Sequence, residues 1–125
     1  MNTIFRSIVA SFRHASRGLL LAYRTERSFR IQLVVGLIVM VATILLPLKQ
    51  WERVVLLLAI AGVLVLELLN SSLERLVDLL KPRLHEYVAD IKDLMAGAVL
   101  LSAVFAALLG ILILWPYVGT VLARV

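Results

Sequence analysis

Residues 31–48, IQLVVGLIVMVATILLPL, carry no charged side chain, and as a helix they reach roughly 27 Å, close to the thickness of a bilayer's hydrocarbon layer. Two more apolar runs follow. One extends from Val54 to Leu80, has no glycine or proline after Val63, and is stopped by Pro82; the other runs from about Leu94 to Trp115. Trp51 in the intervening KQWER, and Trp115-Pro116-Tyr117, suit membrane–water interfaces and mark where spans end. The chain is 62% hydrophobic with a mean hydropathy of +1.02, well above the roughly 45–50% apolar usage of soluble domains. A 125-residue core cannot hide that surface, so a bilayer must cover it. The expected fold is a single all-α membrane domain, 1–125, with membrane helices over about 31–48, 54–80 and 94–115.

Six arginines in residues 1–30 face only Glu26, a local excess equal to the whole chain's net charge of +5. Arg6, Arg13, Arg17 and Arg24 share one helical line, while Phe5, Ile8, Phe12, Leu19 and Tyr23 recur on the other side. This predicts an amphipathic helix over 1–29 lying on the membrane surface, with no signal-peptide pattern. The arginines, together with Arg75, Lys81, Arg83 and Lys92, place the N-terminus and the segment 75–93 in the cytoplasm and the C-terminus outside. Without an aromatic platform or a recognisable motif they do not indicate nucleic-acid binding. Glu26 has two readings: on a continuing helix it points to the apolar side, whereas a helix ending by Thr25 leaves it to pair with a neighbouring arginine.

The second run contains LVLELLNSSLERLVDLL, in which Glu67, Asn70, Glu74 and Asp78 are spaced three, four and four apart and so share one helix face. Asn or Ser would bind helices together at lower cost; carboxylates within a span are rare and generally functional. The stripe is about 16 Å long, so its members act at different depths. Glu67 is deepest, where desolvation makes a carboxylate a stronger proton acceptor; Glu74 lies nearer the water, where a hydrated divalent cation on nucleotide phosphates could reach it, with Glu26 as a second ligand.

After this run, Lys81, Arg83, His85 and Lys92 form a cationic cluster suited to polyphosphate, which a solvated positive-inside loop explains equally well. Asp93 is placed to cap the third span and Lys92 to reach phosphate, while Glu86 and Asp90 read as solvated loop acids. The chain has no cysteine, no glycine-rich phosphate loop and no kinase catalytic-loop motif, so thiol chemistry is excluded and any nucleotide chemistry uses another scaffold.

The twelve residues from Glu67 to Asp78, with Gly18-Leu19 and Glu26 before the first span and Lys92-Asp93 opening the third, resemble the prokaryotic diacylglycerol kinase and undecaprenol kinase family. The resemblance implies a homotrimer of three-span subunits with a surface helix. The implied reaction moves the ATP γ-phosphate to a membrane lipid alcohol, converting diacylglycerol to phosphatidic acid or undecaprenol to undecaprenyl phosphate. It makes Glu67 the general base at the substrate, with Asn70 supporting the stripe, and gives Glu26 and Glu74 the Mg²⁺ on ATP. His85, Lys92 and Asp93 would lie in the nucleotide site, with His14 where the family has a tyrosine; Ser7 stands where it has an arginine. The third span, AGAVLLSAVFAALLGILILWP, looks closer to the undecaprenol kinases. A different class of function, a non-catalytic proton- or ion-conducting protein with the stripe lining a path, would need polar residues in the outer halves of the spans, where none are expected to match.

Overall fold

The computed structural model describes residues 2–81, 83 and 85–123, excluding the side chains of Asn2 and His85. Four α-helices account for the regular structure of these residues: α1 (Asn2–Thr25), α2 (Arg27–Leu45), α3 (Gln50–Leu80) and α4 (His85–Leu122). The last three are long and apolar enough to cross a membrane.

The first helix ends at Thr25, four residues before the expected 29, because Glu26 adopts an extended conformation with φ −106° and ψ 113°. One residue therefore separates α1 from α2. Arg30 makes this abrupt bend tolerable by donating from Nη1 to the carbonyls of Tyr23 (2.9 Å) and Arg24 (3.2 Å), which the end of α1 leaves without helical partners. Along α1 Phe5, Ile8 and Phe12 remain exposed, and its principal packing is against α2.

Leu46, extended at φ −90° and ψ 146°, ends α2 before Pro47, whose ring disfavours helical geometry in the preceding residue. The next helix begins at Gln50, not Val54, so most of KQWER is helical. Glu52 explains the early start: its Oε2 accepts the backbone N–H of Lys49 at 2.7 Å and the Tyr117 hydroxyl at 2.6 Å. Tyr117 belongs to α4, which runs nine residues earlier and seven later than the expected 94–115 and passes through Pro116. The Glu52 bond holds the chain beyond the proline against α3, where a sequence reading sees only an interfacial stop. Tyr117→Phe is expected to lower the thermal midpoint in detergent by a few degrees without altering the opposite end of the bundle; differential scanning fluorimetry checks it.

The early start of α4 also corrects Asp93, Glu86 and Asp90. Asp93 lies two turns inside the helix and cannot cap it, and the other two acids are helical rather than in a loop. Arg75 and Lys92 are likewise on helices, leaving 81–84 as the connection.

The third helix is central, packing extensively on α4 and next on α2. From α2 it receives the seven-residue series Phe29, Gly36, Thr43, and itself buries Glu52, Leu56, Val63, Glu67, Ser71 and Val77. A Cβ on Gly36 would lie 2.9 Å from Ile60 Cγ2, so glycine sets the closeness of α2 and α3. Gly36→Leu should cost about 1–3 kcal/mol through overpacking, whereas Gly62→Ala, where a Cβ meets nothing within 4 Å, should not destabilise; thermal unfolding compares them.

Candidate active site

The helical period places the stripe on one face of α3, and burial falls along it. Glu67 is only 5% exposed, Asn70 and Glu74 are half-buried, and Asp78 is exposed. Glu67 Oε1 accepts a hydrogen bond from Gln32 Nε2 of α2 at 2.9 Å. This fixes the carboxylate and satisfies part of its need for donors in an apolar surrounding. Gln32 also lines a groove of about 670 Å³ between α2, α3 and α4, whose other walls include Gly36, Ile60, Ala103, Gly110 and Trp115. One turn along, Asn70 Oδ1 is buried without a hydrogen-bond partner among the described residues, an acceptor open to a hydroxyl or water.

At the α1–α2 break, Glu26 Oε1 accepts from Thr25 Oγ1 at 3.2 Å and from Arg75 Nη2 at 3.3 Å. Its two sequence readings resolve into helix termination at Thr25, with the pairing arginine on α3 rather than nearby in sequence. A hydrogen bond with Ser71 does most to hold the Glu26 carboxyl below the usual carboxylate range; burial opposes it, and Thr25 and Arg75 reinforce it. These contacts contribute stability from neutral pH down to the ordinary carboxylate value and lose it as pH falls through the lowered one.

Ser71, Glu74 and Arg75 occupy one turn of α3, so the side that meets Glu26 also carries Glu74. Two carboxylates suit a hard divalent cation that keeps phosphate oxygens and waters as its remaining ligands. Among the described residues no group of three or more His, Cys, Asp or Glu side chains is placed to hold a metal ion. Lys92 Nζ lies 2.6 Å from Asp78 Oδ1, joining α4 to α3, and also feels the charge of Glu74. Asp93 lines a shallow surface concavity with Asp90, Leu94 and Gly97. His14 is exposed on α1, and the side chain of His85 lies outside the described residues.

Several partners escaped sequence reasoning. Gln32 is the one amide in the first span, but attention to charge passes over it; Ser71 sits inside the motif without declaring its contact to Glu26; Arg75 reads as an orientation signal. At the opposite end of the helices, beyond the expected spans, Glu52 is 8% exposed and paired with Tyr117. Leu56 and Val63 are buried on α3 between Glu52 and Glu67, so apolar packing separates the two polar regions.

These features define an integral-membrane protein whose α3 carries a carboxylate face that falls from buried to exposed toward one end of the helix. The sequence signature of prokaryotic diacylglycerol kinase matches residues 13–114, and the chain belongs to that family of lipid kinases. It is 36% identical over 116 residues to the undecaprenol kinase of Bacillus subtilis (strain 168), covering 93% of this chain and 91% of the relative. With the diacylglycerol kinase of Synechocystis sp. it shares 41% over 111 residues, 88% of this chain but 63% of that protein. With the diacylglycerol kinase of Escherichia coli (strain K12) it shares 30% over 117 residues, 94% and 96% of the two chains.

Proposed function

We propose that this chain transfers the γ-phosphate of ATP to the hydroxyl of a membrane lipid alcohol, diacylglycerol or undecaprenol. The observation that carries the reading is Glu67, buried beside an apolar groove and held through one oxygen by Gln32. A lipid chain in the groove would bring its headgroup hydroxyl to the end where ATP arrives from the cytoplasm. Glu67 accepts the hydroxyl proton as the lipid oxygen bonds to the γ-phosphorus and the bond from that phosphorus to ADP breaks. Asn70 offers its open acceptor to the hydroxyl or an ordered water.

Glu26 and Glu74 would hold Mg²⁺ on ATP, where the ion would supply neutralisation of phosphate charge. His14, His85, Lys92 and Asp93 contribute to the nucleotide site, Lys92 exchanging Asp78 for phosphate. The surface helix lies on the cytoplasmic leaflet with Phe5, Ile8 and Phe12 inserted, and the C-terminus is outside; the exposed apolar residues of α1 and the basic N-terminal block support this placement. The resemblance of the Glu67–Asp78 segment to the lipid-kinase family supports a homotrimer with sites shared between subunits.

The test is incubation of purified protein with γ-labelled ATP and, in parallel, diacylglycerol and undecaprenol in mixed micelles. Label should enter one lipid in a magnesium-dependent manner. Transfer to neither, with proton or ion flux from liposomes and no ATP consumption, would replace the kinase reading with the conducting one.

A further inference from the structure

Glu26 is the single extended residue between two helices, so no regular backbone fixes where its carboxylate points. Arg30 satisfies the backbone of that break but reaches only carbonyls. The side chains are tied by Arg75, which donates from Nη2 to Thr25 Oγ1 at 2.8 Å and to Glu26 Oε1 at 3.3 Å. The Thr25 hydroxyl is itself anchored, donating to the Leu21 carbonyl at 2.9 Å. Arg75 therefore grips both the last turn of α1 and the junction residue from a helix 49–50 positions away in sequence.

From these contacts we infer that Arg75 is a positioning residue that sets the distance between the Glu26 and Glu74 carboxylates and so tunes the affinity for the metal–nucleotide complex. Arg75 follows Glu74 directly on α3, one turn after Ser71. Any rotation of this turn carries Glu74 with it, and the guanidinium transmits the movement to Glu26. An arginine suits the task because its planar fork addresses two acceptors while keeping a fixed charge; a lysine reaches one as a flexible point charge. Arg75 is about half-exposed, its side chain 49% accessible, and its bonds lead away from Glu67, whose fixed oxygen is held independently by Gln32. Its influence should therefore fall on metal and nucleotide binding and spare the step at the lipid hydroxyl.

This inference rests on the metal role proposed for Glu26 and Glu74, and two readouts separate their fates. In the kinase assay Arg75→Met should raise the KM for MgATP and the magnesium concentration for half-maximal rate about tenfold, the scale of a lost hydrogen bond to a charged group. The kcat at saturation and the KM for lipid should change less than about twofold on the same reasoning, and Arg75→Lys should recover part of the loss. Paramagnetic resonance titration of Mn²⁺ with a non-hydrolysable ATP analogue should show the same weakening without turnover. Thr25→Val removes one anchor and should weaken binding in the same direction, adding less than its separate effect when combined with Arg75→Met. Wild-type Mn²⁺–nucleotide binding in Arg75→Met, or an equal rise in the KM for lipid, overturns the positioning role and leaves the kinase reading standing. Absence of Mn²⁺–nucleotide binding in the unaltered protein overturns both. Should Arg75→Met fail to fold, Arg75→Lys and Thr25→Val decide the question by the same titration.

Discussion

Glu67→Gln is expected to reduce lipid phosphorylation about 10²–10⁴-fold, the range over which a positioned general base accelerates proton transfer. The substitution preserves shape and an acceptor oxygen for the Gln32 amide that now bonds the carboxylate at 2.9 Å, so the junction of α2 and α3 should survive. Circular dichroism and size-exclusion elution in detergent should match the unaltered protein while label transfer collapses. Because Gln32 engages one oxygen only, Gln32→Leu should be milder, leaving a base that is present but less well oriented. Full activity in Glu67→Gln would remove the base assignment.

Glu74→Gln should have the second large effect, on a different axis. Replacing a charged metal ligand by an amide removes half of the proposed protein donor set and is expected to cost roughly 10–100-fold in metal-dependent ATP use. The loss should be partly recovered at high magnesium concentration, which Glu67→Gln cannot be. Rates measured against magnesium at fixed ATP distinguish the two; an unchanged magnesium dependence in Glu74→Gln would count against the ligand role. The contrast follows from burial, since Glu67 is enclosed by α2 and α3 whereas Glu74 is half-buried and open to a hydrated ion.

The α3 stripe is readable from sequence because helical periodicity fixes direction: residues three and four apart must share a face wherever the helix lies. Along that face burial falls from buried Glu67 through half-buried Asn70 and Glu74 to exposed Asp78. Three apolar helices are equally legible from run length. What sequence does not encode locally is which side chain meets the stripe from another helix. Gln32 reaches Glu67, and Thr25 reaches Arg75 beside the stripe, only after α2 and the α1–α2 break have packed, and Arg75 had several acids within plausible reach. Helix ends fail for a related reason. Pro116 ordinarily stops a helix, yet a bond between Tyr117 and Glu52, sixty-five residues apart, carries α4 through it. Asp93 at the head of an apolar run resembles a cap only if the preceding polar segment is a loop, and that segment is helical.

The length of the uninterrupted apolar stretch on α3 bears on the membrane itself. From Val54 to Leu66, between Arg53 and Glu67, it measures roughly 20 Å, about two-thirds of the usual hydrocarbon thickness. Because Glu67 is buried and bonded to Gln32, the exposed apolar surface of α3 continues past it through Leu69, Leu76 and Leu79, and the carboxylate interrupts the run only on the side packed against the other helices. Under the function proposed above, α3 can thus carry a carboxylate among apolar residues without presenting it to acyl chains, and only an alcohol that enters between the helices would meet it.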